Sequence, residues 1–247
     1  EMYSIVSKVV GAVPKKIQED ENFNLNIENL IDQTNEATKV IYIASPNNPT
    51  GTYLSRDQIV KLMNSISKNI IVVIDGAYVE YVEKNDYDKG FSLANEYENI
   101  ILTRTFSKTY GLAALRVGWC YASQNIVDIL NKIKPPFNTT TISQSLAIKA
   151  IEDKEHIENS VKLNSEIKNW FEKELKLLNI KTRKTEGNFT LVETSEYEAE
   201  KISNHLMNDG IIVRRLNSYN LPNFLRISIG TKEEMNITIE SLKKLNE

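Results

Sequence analysis

Three short apolar runs, each ending in polar residues, constrain what this chain can fold into. They are Val40–Ala44, Ile70–Asp75 and Asn99–Thr105. Continuous runs of this length, rich in β-branched residues, are typical of parallel strands buried on both faces. Amphipathic stretches alternate with them, and the first begins at a capping-box pair, Ser55 and Gln58. The alternation predicts an α/β fold with a mostly parallel sheet and helices on both faces.

The second half of the chain has a different pattern. A fourth strand is predicted at Gly118–Ala122, and the helix after it ends before Pro135. Residues 139–178 have a helical pattern, and three short predicted strands follow them at Asn188–Glu193, Ile211–Leu216 and Leu225–Ile229. We therefore predict a large domain at residues 1–153 and a small α+β domain at residues 154–247, joined by a long helix.

Composition excludes several function classes. With one cysteine, Cys120, and two distant histidines, His156 and His205, the chain has neither an internal disulfide nor the usual ligands of a zinc site. Its 30 basic and 33 acidic residues form no long block of one sign, which argues against nucleic-acid binding. No apolar run approaches the roughly 20 residues that span a bilayer. The first residues carry no export signal, so we expect a cytoplasmic protein.

Polar residues at the ends of the first two strands are candidate site residues, because ligands of open parallel sheets bind beyond the carboxyl ends of strands. Asn48 lies in the turn SPNNPTG, Asp75 ends the second strand, and Tyr78 follows three residues later. A carboxylate emerging from an aliphatic strand is costly unless a cation or several donors face it. Structural roles remain open: Asn48 could only build the turn, Asp75 could cap a helix, and Tyr78 could pack in the core.

The third strand runs into the most specific segment, TRTFSKTYGLAALRVGW, at residues 103–119. A lysine near apolar surface and another cation, here Lys108, is pushed towards the neutral amine that attacks aldehydes. Thr105, Ser107 and Arg116 can supply hydroxyl groups and a guanidinium for a phosphate. The alternative for Lys108 alone is an ordinary solvated loop lysine.

Taken together, these segments resemble fold-type I pyridoxal-phosphate aminotransferases of the class I/II group. The match extends over nearly the whole chain and is most similar to the histidinol-phosphate aminotransferases in DGAYVEY, RTFSKTYGLAALRVGW, PPFN, GNF and LRISIGT. No part of this sequence matches the N-terminal third of that family. That third includes a phosphate loop and an aromatic residue that stacks on the cofactor. Tyr3 is a poor match for that aromatic residue and is not assigned to it. Gly76 stands where the family commonly has an acidic residue.

The resemblance implies pyridoxal 5′-phosphate as the cofactor and assigns roles to the site residues. Lys108 would hold the cofactor covalently and later move a proton, while Asp75 would pair with the pyridine nitrogen. Asn48 and Tyr78 would hydrogen-bond the 3′ oxygen of the ring. The phosphate would be held by three residues, Thr105, Ser107 and Arg116.

The resemblance also implies the substrates. Arg226 would bind the carboxylate of the amino donor, and Arg226 with Arg214 would bind the phosphate of the second substrate, with Asn48 nearby. The implied reaction is amino transfer between L-glutamate and imidazole-acetol phosphate, or the reverse from histidinol phosphate, in histidine biosynthesis, by a homodimer. Three alternatives stay open: another pyridoxal-phosphate enzyme on a phosphorylated amino substrate, such as a decarboxylase; a truncated, non-catalytic remnant; and, for Arg214, a solvated edge-strand charge beside Arg215.

Overall fold

A computed structural model describes residues 2–245, which form two compact units. The first unit comprises the chain up to Asn47 together with Thr52–Lys154. The second comprises Asn48–Gly51 together with the chain from Glu155 onwards. The turn that carries Asn48 therefore clusters with the second unit, although the residues on either side of it belong to the first. The domain boundary after residue 153 stays a prediction.

The first unit is built on a four-stranded sheet in the order β1-β2-β3-β4. Its strands are β1 (Val40–Ala44), β2 (Ile71–Asp75), β3 (Ile100–Thr105) and β4 (Gly118–Ala122). The first three are parallel, and β4 is antiparallel to β3. The helices of this unit are α1 (Met2–Val9), α2 (Ile27–Asp32), α3 (Arg56–Ser65), α4 (Phe91–Glu96), α5 (Gln124–Ile133) and α6 (Thr141–Glu152). The predicted α/β class with a mostly parallel sheet is confirmed.

One face of this sheet forms the main core of the first unit. Strand register places six aliphatic side chains on that face: Ile41, Ile43, Val72, Ile74, Ile100 and Leu102. They form one buried cluster with side chains of α2, α3 and α4. Burial stabilises each such side chain by about 1.5–3 kcal/mol. Tyr42 and Asp75 alternate with this set and lie on the opposite face, away from the helices that cover the core.

Helix α3 shows how local sequence positions an element on this core. Ser55 accepts a hydrogen bond from the backbone N–H of Gln58, and the Gln58 side chain accepts one from the backbone N–H of Ser55. This capping box satisfies two backbone donors at the start of the helix. Ile59, Leu62 and Met63 then follow at helical spacing and are buried in the cluster with the sheet.

The second unit contains an antiparallel sheet in the order β5-β6-β8-β7. Its strands are β5 (Lys181–Arg183), β6 (Phe189–Glu193), β7 (Arg214–Leu216) and β8 (Leu221–Ser228). The helices are α7 (Lys154–Leu177), α8 (Glu196–Asn208) and α9 (Lys232–Lys244). Val192, Leu225 and Ile227 form a buried cluster with side chains of all three helices. Arg214 and Arg226 alternate with the core-facing residues of their strands and lie on the other face.

Three strands of the second unit differ from the sequence prediction. Strand β8 runs from Leu221 to Ser228, so it begins four residues before the predicted Leu225. Strand β7 begins at Arg214 rather than Ile211, because the Ile211 N–H still donates to the Leu206 carbonyl at the end of α8. Gly210, at φ +81°, makes this helix end in the left-handed conformation. Strand β5 was missed because its three residues, Lys181–Arg183, carry no apolar run.

The longest helix of the second unit is α7, which has 24 residues and buries only one face, through Phe171 and Leu175. It is amphipathic, with charged residues throughout its length. Within residues 2–245, no helix combines the length and the apolar character needed to cross a membrane.

Candidate active site

The three parallel strands bring candidate side chains to one edge of the sheet. Ala44 at the end of β1 pairs with Asp75 at the end of β2, and Asp75 pairs with Thr103 on β3. Because the strands are parallel, their carboxyl ends meet at the same edge. Asp75 and Thr105 therefore lie at the edge where the sequence predicted a ligand site.

Lys108 and Tyr78 meet in the loops beyond this edge. The Lys108 Nζ atom lies 5.3 Å from the centroid of the Tyr78 ring. Tyr78 is buried, and it precedes a short 3₁₀ turn at Val79–Tyr81. The structure thus places an amine against an aromatic side chain that stands three residues beyond Asp75.

Hydroxyl groups and a guanidinium converge in the segment after β3. Thr105 Oγ1 accepts a hydrogen bond from the Ser107 N–H at 3.1 Å. Arg116 Nη1 lies 3.4 Å from Ser107 Oγ and donates to the Ala113 carbonyl at 2.9 Å. In the described part of the chain, no carboxylate lies within ion-pair distance of Arg116. Such a group of donors without a counter-ion suits a phosphate.

Asp75 has a partner that the sequence did not predict. The Tyr3 hydroxyl donates a hydrogen bond to Asp75 Oδ2 at 2.6 Å. Burial, followed by the charge of Asp75, raises the pKa of the Tyr3 phenol far above its usual value, so the phenol stays a neutral donor. No local pattern could have predicted this contact, because the two residues are 72 positions apart.

Arg104 is a second residue that sequence reasoning missed. Its guanidinium is buried, donates to the carbonyls of Thr103 and Lys89, and lies 5.9 Å from the ring centroids of Phe91 and Trp119. A Cβ atom on Gly76 would collide with this guanidinium. Gly76, where the resemblance leads us to expect an acidic residue, therefore leaves the space that Arg104 occupies.

The second unit carries its own pair of arginines. Arg214 on β7 and Arg226 on β8 stand directly opposite each other, and Arg226 Nη1 donates to Asn48 Oδ1 at 2.5 Å. The Arg226 guanidinium also lies 5.4 Å from the Phe189 ring centroid, and its Nε atom is buried with no hydrogen-bond partner. Like charges directly opposite each other destabilise a sheet, unless an anion binds between them.

Neighbouring arginines show that this pair is unusual. Arg183, in the same row of the sheet, forms an ion pair with Glu193 at 2.7 Å. Arg215 points to the opposite face and lies 3.4 Å from Glu200. Across residues 2–245, neither Arg214 nor Arg226 has a carboxylate within 4.0 Å. The structure thus leaves two facing cations uncompensated.

The turn that presents Asn48 is anchored at its last residue. Gly51 has φ +73°, a conformation that favours glycine, and its carbonyl accepts a hydrogen bond from the Glu186 N–H at 2.7 Å. A Cβ atom on Gly51 would also collide with the backbone and side chain of Thr185. The peptide bonds before Pro46 and Pro49 are cis. Gly51 is therefore required both for its backbone conformation and for the close approach to Thr185.

A half-buried carboxyl group lies beside the residue that precedes Asn48. Asn47 Nδ2 donates to Glu19 Oε1 at 3.0 Å, and Glu19 forms a β-bridge with Leu25. Burial, with a further contribution from Asp20, raises the pKa of Glu19 from 4.5 to about 7. Ionising Glu19 therefore costs more free energy in the folded chain than in the unfolded chain.

We expect Glu19→Gln to remove a pH-dependent loss of stability. Because the folded pKa lies above the unfolded one, the wild-type chain loses stability as pH rises from about 4.5 to about 7. At about pH 8 the variant should be more stable by about 1–2 kcal/mol, after allowance for solvent screening, and at about pH 4 the two should be equal. Urea unfolding at both pH values measures this, with Glu21→Gln as an exposed control. Parallel pH profiles for Glu19→Gln and wild type would contradict it.

The first unit thus offers a defined set of reactive groups. It has an amine at Lys108, a carboxylate at Asp75, and phosphate donors at Ser107 and Arg116. These groups suit a phosphorylated aromatic aldehyde with a basic ring nitrogen, since each has a complementary partner on such a molecule. In the described residues, no three His, Cys, Asp or Glu side chains group as metal ligands do.

Comparison with known proteins identifies the class. The chain belongs to the aminotransferase class I and II family, whose profile matches residues 1–242. It is 41% identical over 238 residues to the histidinol-phosphate aminotransferase of Pelagibacter ubique, covering 95% of this chain and 66% of that protein. It is 37% identical over 244 residues to the histidinol-phosphate aminotransferase of Rhodopseudomonas palustris strain BisB18, with 98% and 67% covered. The chain thus spans about two thirds of the length of these curated relatives.

Solved structures share the fold. The histidinol-phosphate aminotransferase of Sinorhizobium meliloti, solved with pyridoxal-5′-phosphate, superposes with a TM-score of 0.90 at 23% identity, over 98% of this chain and 67% of that one. A decarboxylase from Sulfurospirillum multivorans superposes with a TM-score of 0.84 at 22% identity, over 100% of this chain and 73% of that one. Since proteins with different reactions share the fold, the fold alone does not identify the reaction.

Proposed function

We propose that this chain is part of a pyridoxal-phosphate-dependent histidinol-phosphate aminotransferase. It would transfer the amino group between L-glutamate and imidazole-acetol phosphate, or in reverse from histidinol phosphate to 2-oxoglutarate, in histidine biosynthesis. Family membership supports the class of reaction, and the names of the relatives support the substrate. The single structural observation that carries the substrate proposal is the uncompensated pair of Arg214 and Arg226, because both amino donors are anions.

The residues of the first unit fit the cofactor. When bound, pyridoxal phosphate supplies an aldehyde that reacts with amines and a ring that withdraws electrons from the substrate carbon. Lys108 would hold the aldehyde carbon and carry a proton to and from the substrate. Asp75 would keep a proton on the pyridine nitrogen, because a carboxylate stabilises a positive charge beside it. The cofactor phosphate would be bound by Thr105, Ser107 and Arg116.

The other predicted residues would orient the ring and the substrate. Asn48 and Tyr78 would hydrogen-bond the ring oxygen next to the aldehyde. The contact between Asn48 Oδ1 and Arg226 Nη1 orients the guanidinium that we assign to the substrate carboxylate. Arg214 would add a second cation when the substrate carries a phosphate. One arginine pair would therefore bind two different anions in turn.

We further propose that the protein acts as a homodimer in the cytoplasm. The resemblance implies both properties, and a biosynthetic enzyme has its substrates in the cytoplasm. Helix α6 exposes Ile142 and Leu146 on one side and Ile148 and Ile151 on another, and these apolar side chains are candidate contacts for a second copy of the chain. Sedimentation equilibrium of the purified protein would measure the oligomeric state, and a monomer at all concentrations would contradict the dimer.

The reaction is tested by supplying histidinol phosphate and 2-oxoglutarate to the protein loaded with pyridoxal phosphate. We expect glutamate to form in equal amount to imidazole-acetol phosphate, with no release of carbon dioxide. Phosphoserine and threonine phosphate serve as competing phosphorylated substrates. Carbon dioxide release from one of them would favour a decarboxylase, and glutamate formed only with another amino donor would favour a different aminotransferase. Failure to bind the cofactor would indicate a non-catalytic remnant.

Arginine variants should distinguish binding of the substrate phosphate from binding of the glutamate carboxylate. Arg214→Ala should raise the KM for histidinol phosphate about 10- to 100-fold and leave the KM for glutamate nearly unchanged, because one charge-assisted contact to the phosphate is lost. Arg226→Ala should raise both values by a similar factor. Steady-state kinetics with each substrate measures these effects, and Arg215→Ala is the matched control because Arg215 faces away from the pair. Equal effects of Arg214→Ala on the two substrates would contradict the assignment.

A further inference from the structure

Tyr3 is held against Asp75 by two independent contacts. Its ring stacks on Tyr42, with ring centroids 5.0 Å apart and an interplanar angle of 8°. Its hydroxyl donates to Asp75 Oδ2 at 2.6 Å. Tyr42 stands two residues before Ala44, which pairs with Asp75, so Tyr42 and Asp75 are diagonal neighbours on one face of the sheet. One aromatic side chain from α1 therefore contacts both of them.

We propose that Tyr3 is a positioning residue for Asp75, holding one carboxylate oxygen so that the other, Oδ1, is oriented to bind the pyridine nitrogen of the cofactor. This inference rests on the proposed function, because it concerns the same carboxylate and the same cofactor. In this proposal Tyr3 affects the ring nitrogen only by orienting Asp75. This role differs from that of an aromatic residue that stacks on the cofactor ring. The Tyr3 ring is already stacked on Tyr42.

The chemistry of the two groups supports a directed contact. A carboxylate only accepts hydrogen bonds, and a neutral phenol can donate one, so the direction of the bond is fixed while Asp75 is ionised. Burial, followed by the nearby charge of Asp75, raises the pKa of the Tyr3 phenol, which favours the protonated form that donates. A hydrogen bond to a charged acceptor is also stronger than one between neutral groups. The chemistry of the two groups therefore makes Tyr3 the donor and Asp75 the acceptor.

The packing of α1 makes a conservative variant informative. No side chain of α1 is fully buried, Tyr3 is half-buried, and its ring keeps its stacking partner when only the hydroxyl is removed. Tyr3→Phe therefore deletes the hydrogen bond and retains the helix and the stack. Tyr42→Phe is the matched control, because it removes a hydroxyl from the other member of the same stacked pair.

The test compares two cofactors that differ in one ring atom. Binding constants of the purified apoprotein are measured by fluorescence titration for pyridoxal phosphate and for 1-deazapyridoxal phosphate, in which a C–H replaces the ring nitrogen. We expect Tyr3→Phe to weaken pyridoxal-phosphate binding about tenfold, as the loss of a charge-assisted hydrogen bond does. The binding constant of the deaza analogue should stay within about twofold of its wild-type value. Tyr42→Phe should leave both unchanged.

Other outcomes separate this inference from the proposed function. If Tyr3→Phe weakened the binding of both compounds equally, Tyr3 would have a merely structural role and the inference would be overturned. If Tyr3→Phe weakened the binding of neither compound, while the wild-type chain bound pyridoxal phosphate more tightly than the analogue, only the inference would fail. A wild-type chain that bound neither compound would overturn the proposed function and this inference with it.

A double variant keeps the test decisive if Tyr3→Phe also lowers stability. In an Asp75→Ala background, which lacks both carboxylate oxygens, the same Tyr3→Phe change should have no further effect on pyridoxal-phosphate binding, because it acts only through that carboxylate. An undiminished tenfold loss in that background would show that Tyr3 acts by another route. Thermal unfolding of all four proteins reports any common loss of fold.

Discussion

Lys108→Ala should abolish covalent capture of pyridoxal phosphate and lower amino transfer by at least about 10⁴-fold. The variant loses both the amine that bonds to the cofactor aldehyde and the group that moves the substrate proton, and general-base catalysis alone contributes about 10²–10⁴-fold. The Lys108 amine lies against the Tyr78 ring, so its removal leaves the strands of the sheet untouched. Borohydride reduction followed by peptide mass analysis measures the capture.

The control for this prediction is Lys68→Ala, which removes an exposed lysine of the same unit. The Lys68→Ala variant should capture the cofactor on reduction, and should catalyse amino transfer, as wild type does. A reduced cofactor on any other lysine of the Lys108→Ala variant, in wild-type amount, would refute the assignment of Lys108. Thermal unfolding should give similar midpoints for wild type and both variants.

Asp75→Asn should lower kcat by about 10²–10³-fold and retain the fold. The amide has the shape of the carboxylate and its oxygen can still accept a hydrogen bond from the Tyr3 hydroxyl, but it cannot balance a positive charge on the pyridine nitrogen. Losing electrostatic stabilisation of charge in a transition state typically costs such a factor. Single-turnover kinetics of the loaded protein measures the chemical step.

The matched control for Asp75 is Asp86→Asn. Asp86 also accepts a hydrogen bond from a tyrosine hydroxyl, that of Tyr53, but it is an exposed loop residue outside the strands. Its replacement should leave kcat within about twofold, because no reacting charge develops beside it. A normal kcat in Asp75→Asn would contradict the role of Asp75 at the ring nitrogen.

The sequence predicted the elements whose signals are local. Strands β1 and β4 have the predicted bounds, and α3 begins at the predicted capping box. Each depends on residues within a few positions: an apolar run, or a serine and a glutamine three residues apart. The candidate residues after β1, β2 and β3 could be proposed for the same reason, because each follows directly from a strand end.

Other features depend on contacts between distant residues and could not be predicted. The opposition of Arg214 and Arg226 requires the register of β7 against β8, which a bulge between Arg215 and Leu216 interrupts. The contact of Tyr3 with Asp75, and the space that Gly76 leaves for Arg104, arise only when separate elements pack. Periodicity carries no information about such pairs, because it reports which face a residue occupies and not what lies opposite.

The opposed arginines of β7 and β8 also bear on how this sheet could be engineered. Two facing guanidiniums repel, so a leucine at position 214 should strengthen the pairing of the two strands. Selection for thermal tolerance alone would favour that replacement, and selection for anion binding would oppose it. Stabilising substitutions in this sheet should therefore be sought on the face covered by α7, α8 and α9, where they leave the two cations in place.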